Sequence, residues 1–382
     1  MKATTNRHLM HNVTDSNGNG RSLQNEFALS AGELFGPDDP ILITGASGFI
    51  GIRLVRNLLD RGFRNLRCLT RLPGKAAKLE ALRDHAGDTR IQVLTGNLLA
   101  REDCAAATRD VKLIYHLAAG RGEKSFPDAY MNSVVATRNL IEAAAEPASG
   151  PRSLQRLVTV SSFAVYSNRH KPQGNLLDES CSIEAQAHLC GDAYSFAKIK
   201  QDEIVAEYCN RFGIPYVIVR PGYVLGPGNP AITGRVGIGT FGIFMHLGGF
   251  NSLPITYVDN CADAIALAGL KSGVEGQAFN VVDDDLPSSW KFLRAYKRNV
   301  RSFKSIYVPH WLSYTGCYLW ERYSTWSEGQ LDPVFNHRLW HRYWKRTRYS
   351  NRKLKTQLGW TPKVDMTEGL RRYFESCGAG RV

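Results

Sequence analysis

The chain has no Cys-x-x-Cys pair and no Cys/His cluster at zinc spacing, although eight of its 382 residues are cysteines. No metal site is expected, and the cysteines read as free thiols of a reducing compartment. Met1 to Gly36 lacks the apolar core of a signal peptide, so the cytoplasm is the expected location. No internal repeat is present. Acid is scarce: 35 Asp and Glu stand against 48 Lys and Arg. Long apolar runs are scarce too. Val236 to Val258 contains no Asp, Glu, Lys or Arg and is long enough for a membrane span. Gly237, Gly239, Gly242, Gly248 and Gly249 interrupt it, and Asn251 and Pro254 follow. It reads instead as a loop lining an apolar pocket, with a strand at Ile255 to Val258. With 43% hydrophobic and 22% charged residues, the chain is neither wholly disordered, nor collagenous, nor a multi-span membrane protein.

What is present is unevenly distributed. The net charge is +13, and residues 286–382 alone hold 19 Lys and Arg against six Asp and Glu. The first 285 residues are therefore neutral overall. All seven tryptophans lie after residue 289. A neutral core domain followed by a basic, aromatic C-terminal part is expected.

Residues 1–37 are polar and rich in Asn, Ser and Gly, the composition of a disordered leader. Ile41-Leu42-Ile43 is a short apolar run ending in a glycine-rich turn, as a buried strand does. Phe49 to Arg61 has helical periodicity, with Ile50, Leu54, Leu58 and Leu59 on one side. Further strands are predicted at 66–69, 91–94, 113–117, 157–160 and 216–219, and helices at 129–145 and 194–211. Strands alternating with helices imply a parallel sheet covered on both faces. The fold class is therefore α/β. A Rossmann-type doubly wound parallel sheet is expected in residues 38–222, completed by a returning strand near 255–282. A smaller, mainly substrate-binding C-terminal part is expected in residues 223–382.

Thr44-Gly45-Ala46-Ser47-Gly48-Phe49-Ile50-Gly51 lies between the first strand and the first helix. Gly45 permits a tight turn, Gly48 lets a pyrophosphate approach the backbone, and Gly51 lets helix and strand pack closely. The helix N-terminus then offers free N–H groups to the phosphates. The second strand ends Cys68-Leu69-Thr70-Arg71 without a carboxylate for a ribose 2′-hydroxyl. Arg71 suits a 2′-phosphate, which favours NADP. Tyr194 and Lys198 stand four residues apart at the start of a helix and share a face. An ammonium beside a phenol favours the phenolate, so Tyr194 is a candidate acid/base. Ser162 follows the fifth strand, at the sheet edge where ligands bind.

Together these segments resemble the extended short-chain dehydrogenase/reductase superfamily, in its NAD-dependent epimerase/dehydratase group. The resemblance runs from Ile41 to Phe374. It rests on TGASGFIG at 44–51, HLAA at 116–119, Asn132 with Thr137, SSFAVY at 161–166, YSFAK at 194–198 and RPGYVLGPG at 220–228. TYVDN at 256–260 and KLKTQLGWTP at 353–362 add to it. The resemblance implies that Tyr194 exchanges a proton with the substrate oxygen. It implies that Lys198 holds the nicotinamide ribose and depresses the Tyr194 pKa, and that Ser162 bonds the same oxygen. It adds Ser47, Phe49, Ile50, Asn97, Leu98, Leu117, Ala118, Ala119, Asn132, Pro221 and Val224 to the cofactor-binding set. The implied cofactor is NAD(P), and dimers are common in the group.

The departures from the group narrow the chemistry. Phe163 and Ala164 stand where dehydratases of this group place Asp and Glu, which speaks against 4,6-dehydration. Pro254-Ile255-Thr256-Tyr257 replaces the Arg-Asp-Phe of many nucleotide-sugar epimerases, and Gly222-Tyr223 replaces a common Asn. These positions resemble the 3β-hydroxysteroid dehydrogenase branch more closely. Asn97 stands where Asp commonly meets the adenine, and it keeps one or two of those hydrogen bonds.

From Trp290 to Tyr349 the chain mixes Trp, Tyr, Arg and Lys throughout. One reading is a substrate-binding subdomain whose aromatics pack and whose arginines meet a phosphate or pyrophosphate. A second is a patch for peripheral membrane contact, since Trp, Tyr and Arg suit an anionic interface. Nucleic-acid binding is set aside, because no recognised module is present. The leading expectation is hydride transfer at a secondary alcohol or ketone of a small molecule, foremost a nucleotide sugar, including redox-driven epimerisation. The alternatives are a 3β-hydroxysteroid-dehydrogenase-like enzyme on an apolar alcohol at a membrane surface, and a non-catalytic dinucleotide sensor. A sensor has no use for Ser162, Tyr194 and Lys198 as a proton-carrying set.

Overall fold

The computed structural model describes residues 34–379 apart from 73, 75–76, 86–89, 121–124, 147–150, 190, 241, 329 and 331–334. The chain begins with β1 (Ile41–Thr44), α1 (Gly51–Asp60), β2 (Asn65–Thr70), α2 (Ala77–His85) and β3 (Arg90–Thr95). It continues through α3 (Arg101–Thr108), β4 (Leu113–His116), α4 (Phe126–Tyr130), α5 (Ala136–Ala145) and β5 (Arg156–Val160). A short β6 (Asn175–Leu177), a long α6 (Ala193–Phe212) and β7 (Tyr216–Pro221) follow. The chain then leaves for β8 (Tyr223–Leu225), β9 (Gly237–Thr240), β10 (Ile243–His246) and β11 (Ile255–Tyr257). It returns for α7 (Val258–Leu270) and β12 (Ala278–Val281). The tail holds α8 (Ser289–Asn299), β13 (Ser305–Tyr307), α9 (His310–Trp326) and α10 (His337–Tyr343), then β14 (Thr347–Tyr349), α11 (Arg352–Leu358) and α12 (Met366–Ala379).

Seven strands form one parallel sheet in the order β12-β7-β5-β4-β1-β2-β3. Ile41 and Ile43 point to one face, against α1, α7 and α11; Leu42 points to the other, against α3, α5 and α6. Burial on both faces explains why β1 is apolar at every position but its last. Strand order reverses between β1 and β4, since the chain adds β2 and β3 on one side of β1 and then β4 on the other, so the crevice above their carboxyl ends is the natural ligand site of such a sheet.

The structure corrects two expectations. First, the fold starts before Pro40. Phe35 is buried in the main core, the Leu34 N–H donates to the Leu270 carbonyl at 3.1 Å, and the Arg64 N–H donates to Pro37 at 2.7 Å. Residues 34–37 of the leader assigned to 1–37 are therefore part of the fold, and residues 1–33 lie outside the described ones. Second, the uncharged stretch after Val236 is not a loop. β9 and β10 pair antiparallel, and β13 joins them. A Cβ on Gly237 would lie 2.0 Å from the Met245 carbonyl, so this glycine serves close strand pairing. No helix among the described residues is long and apolar enough to cross a membrane.

Residues 223–382, expected to be mainly substrate-binding, contribute to two cores. Leu354, Leu358 and Trp360 pack in the same core as β1 and α1, and the Trp360 indole donates to the Asn260 carbonyl at 3.1 Å. The substrate-side core is built elsewhere, from Leu225, Val236 and Ile255 with Phe292, Tyr296, Tyr373 and Phe374.

Buried charge locks α7 in place. Asp263 accepts from Arg61 at 2.9 Å, Asn57 at 3.0 Å and Lys363 at 2.6 Å; these bonds outweigh burial and hold its carboxyl below the usual range. At the other end, the fully buried Arg156 donates to the Gly269 and Lys271 carbonyls and pairs with Glu275. A guanidinium there suits the negative end of the helix dipole. Tyr115 crosses the same helix, its hydroxyl 2.8 Å from the Ala266 carbonyl. A Cβ on Gly269 would lie 2.2 Å from that hydroxyl. Gly269→Ala should therefore lower the thermal midpoint, because overpacking costs about 1–3 kcal/mol against about 1 kcal/mol of helix propensity gained. A raised midpoint would mean that Tyr115 is free to swing aside.

Candidate active site

The turn after β1 is built from contacts that only glycine allows. Gly45 has φ +68°, and a Cβ on it would lie 2.9 Å from the Ala118 nitrogen. A Cβ on Gly51 would lie 2.2 Å from the Gly45 carbonyl and 2.8 Å from that of Ala46. Gly51 thus serves the turn itself, rather than the helix-on-strand packing expected of it. α1 begins at Ile50 without a side-chain cap and without an acidic residue in its first turn. An uncapped helix start at the carboxyl edge of a parallel sheet attracts anions. Ser47 ties the turn to the end of β2 through a 2.9 Å hydroxyl pair with Thr70.

Arg71 sits at the rim and donates to the Asn132 side-chain oxygen at 2.9 Å. Asn132 lies in a π-helical turn, Met131–Val135, between α4 and α5. Its amide donates to Asp128, and the neighbouring Ser133 hydroxyl accepts from the Gly120 N–H at 2.9 Å. Asn97 spends its side-chain oxygen on the Leu99 N–H at 3.1 Å, so its amide nitrogen is the group left to meet a ligand.

Ser162 follows β5 and caps the short turn Phe163–Val165, accepting from the Ala164 N–H at 3.2 Å. Tyr194 is set by the start of α6, where Asp192 accepts from the Ser195 N–H at 2.7 Å. Burial pushes the Tyr194 phenol up to about 12; the Ser162 hydroxyl, hydrogen-bonded to it, pulls the other way. The Lys198 ammonium donates to the Val160 carbonyl at 2.7 Å and to Gln201 Oε1 at 2.9 Å. Burial lowers its pKa to about 8, against the pull of Asp202. The expected depression of the Tyr194 pKa by Lys198 is not seen. The ammonium is bonded to the sheet edge and to its own helix, and burial dominates at the phenol.

Behind Lys198 runs a chain of buried polar groups. Gln201 Nε2 donates to Thr137 Oγ1 at 2.8 Å, which lies 2.8 Å from His116 Nε2; His116 Nδ1 is 2.8 Å from Thr44 Oγ1. Burial, reinforced by Lys198, holds His116 down at about 3, so it is neutral at physiological pH. On the other side, Asp202 accepts from Arg220 at 3.0 Å, and Arg220 reaches the Tyr166 hydroxyl at 3.1 Å. Neither Gln201 nor Asp202 stood out in the sequence, although both lie within one helical turn of Lys198.

One cleft of about 1100 Å³ gathers these groups. Gly45, Ser47, Gly48, Phe49, Ile50, Gly51, Arg71, Asn97, Leu98, Leu117, Ala118, Ala119 and Asn132 line one half. Ser162, Tyr194, Lys198, Pro221 and Val224 line the middle. Among the described lining residues the one carboxylate is Asp128, already bonded to Asn132. Phe163 stands where an acid would serve elimination, and it is buried against Tyr349 with ring centres 5.8 Å apart. A dinucleotide fits the first half: a glycine cradle that any Cβ would fill, an uncapped helix end, and a basic residue at the rim.

The far half was not read from the sequence. Arg235 and Tyr343 line it, the guanidinium 5.1 Å from the ring centre. Arg235 is 8% exposed and donates to the Arg342 carbonyl and the Tyr349 hydroxyl. No carboxylate pairs with it among the described residues. Two of the tail cations expected to meet a phosphate have structural partners instead. Arg342 pairs with Asp192 at 2.9 Å, and Lys345 donates to the Asn168 and Lys171 carbonyls.

Residues 41–281 match the model of the NAD dependent epimerase/dehydratase family. The chain belongs to this family. Cinnamoyl-CoA reductase 1 of Oryza sativa subsp. japonica is 28% identical over 189 residues, 49% of this chain and 54% of that protein. This chain therefore spans about half the length of that relative. The Mus musculus sterol-4-alpha-carboxylate 3-dehydrogenase, decarboxylating, aligns over 87% of this chain and 90% of its own length at 22% identity. In fold, the chain is similar to UDP-glucuronic acid 4-epimerase of Bacillus cereus, solved with UDP-glucuronic acid and NAD. The TM-score is 0.65 at 20% identity, covering 88% of this chain and 98% of that one.

Proposed function

We propose that this family member is an NAD(P)-dependent oxidoreductase or epimerase acting at a secondary alcohol or ketone, with a nucleotide sugar as its substrate class. The reading rests on the convergence of Ser162, Tyr194 and Lys198 beside the uncapped start of α1. A nicotinamide bound in the cleft would supply the hydride chemistry. Tyr194 carries the proton at its hydroxyl, and Ser162 holds the substrate oxygen against it. With its phenol near 12, Tyr194 waits as the proton donor. A positive charge brought into the cleft would lower that value and let it act as base. Lys198 orients the ribose and keeps a positive charge beneath the site.

The substrate half favours an anion. Arg235 is buried without an acid, and a sugar diphosphate would satisfy it where a neutral alcohol would leave it unpaired. A second reading, an apolar alcohol of the kind handled in the 3β-hydroxysteroid dehydrogenase branch, draws on the near full-length alignment with the mouse sterol enzyme. For the cofactor, the reading favours NADP. β2 ends in Thr70 without a carboxylate beyond it, and Arg71, bonded to Asn132 at the rim, offers a guanidinium suited to a 2′-phosphate.

Tyr194→Phe removes one hydroxyl. Turnover should fall by about 10²–10⁴-fold while dinucleotide binding by calorimetry is kept; unchanged turnover would remove Tyr194 from proton transfer. Lys198 is charged below about 8 and neutral above it, so turnover should fall as pH rises through that value. A flat profile there would show that the charge is not used. Arg71→Ala should weaken NADPH by about ten- to a hundredfold and leave NADH nearly unchanged. Equal losses would refute the 2′-phosphate assignment.

A further inference from the structure

α9 turns large apolar side chains to both sides: Tyr314 packs on His337 and Trp340 of α10, and other rings face outward. Its inward positions include Ser313, Cys317 and Ser324, which are small. Its outward positions include Trp311, Leu312, Leu319, Tyr323 and Trp326. Trp311 is 71% exposed and Trp326 is 77% exposed. A surface helix ordinarily keeps its large apolar side chains on the stripe that meets the core. Leu312, Leu319 and Trp326 recur every seventh residue, with Tyr323 between the last two, so they form one face.

The face continues past the start of the helix. Tyr307 ends β13, just before α9, with Trp290 edge-on to it at 6.1 Å. Phe250 stacks on Trp290 at 5.7 Å and is 75% exposed. Exposed aromatic side chains gathered in this number mark a binding face.

Charge identifies what covers it. Residues 286–328 hold seven Lys and Arg against two Asp and Glu. Lys291, Arg294, Lys304 and Arg322 are exposed among the rings. A second copy would bring the same cations against each other. The segment 1–33 is rich in Asn, Ser and Gly and has no apolar run to lay over these rings. Trp and Tyr rings ringed by Lys and Arg suit the headgroup layer of an anionic bilayer, where each ring keeps a polar edge wet.

We propose that this face seats the protein on the surface of an anionic lipid bilayer, with α9 lying in the interface plane. No helix among the described residues is long and apolar enough to cross, so the contact proposed is peripheral. It is also close to the cleft. α9 packs on α10 through Cys317 and Trp340, whose indole donates to the Ser313 hydroxyl at 3.0 Å, and α10 carries Tyr343 into the substrate half. The seat would hold that half of the cleft one helix away from the membrane. It does not depend on the identity of the substrate.

The test is co-sedimentation of the full chain with vesicles of phosphatidylcholine alone or mixed with phosphatidylglycerol. Binding should need phosphatidylglycerol and weaken with added salt. The double substitution Trp311→Ser and Trp326→Ser lies on the outward face and should spare the thermal midpoint. It should reduce partitioning by about tenfold or more, since each ring contributes buried apolar area. Lys291→Glu with Arg294→Glu should weaken binding to the anionic vesicles with the rings intact. No sedimentation, or equal sedimentation of the Trp variant, would overturn the proposal. So would a lipid-free dimer, seen by light scattering, that the Trp substitutions dissociate; it would assign the face to a second copy.

Discussion

A buried ammonium must be satisfied, and the site is arranged around how Lys198 is satisfied. Its nitrogen holds the Val160 carbonyl, where β5 ends, and Gln201, one turn further along α6. Gln201 is held by Thr137 on α5, and Thr137 by His116 on β4, which reaches Thr44 on β1. Two helices and three strands therefore meet in one polar chain beneath the cleft. It works because His116 is neutral and presents one donor and one acceptor nitrogen. Asp202, paired with Arg220 away from the cleft, sets a carboxylate one turn along α6 from the Lys198 ammonium. A neutral replacement for Lys198 would leave the Val160 carbonyl and Gln201 without this donor.

The same economy of space governs the turn at Gly45. The cradle is shaped by backbone on three sides: Gly45 and Ala46 carbonyls, the Ala118 nitrogen and the start of α1. The tail completes the other half of the cleft. Arg235 and Tyr343 come from chain segments more than a hundred residues apart, joined by a hydrogen bond from the guanidinium to the Arg342 carbonyl. The cofactor half belongs to the sheet, and the substrate half depends on how the C-terminal elements fold back over it.

The difference between these halves decides what the sequence revealed. β1 and β5 are buried on both faces, so their apolar runs announced themselves. The glycine turn is local, and Tyr194 and Lys198 share a helix face, so both were visible as short patterns. Phe35 was not, because one ring in a polar segment has no periodicity. Arg235 stands just before a stretch without charge, and nothing nearby in sequence says that it faces a cleft. The Lys198 ammonium was assigned to Tyr194 because spacing places both on one face; spacing does not say that a carbonyl and an amide lie nearer. The orientation of α9 was hidden for a different reason. Periodicity reveals a helix's stripes, but α9 carries rings on both sides, so no single apolar stripe says which side turns inward.

The return of Trp360 to the first core bears on the order in which the molecule can be assembled. Its indole lies in the cluster that contains Ile41 and Val55, and it is almost wholly buried. During synthesis the N-terminal strands emerge long before the residues that finish covering them. Until residue 360 has left the ribosome, part of the α1 and α7 side stays wet, and the nascent chain exposes that core together with the tail's rings. Such a chain spends its growth partly folded and adhesive, which is when a chaperone has most to do.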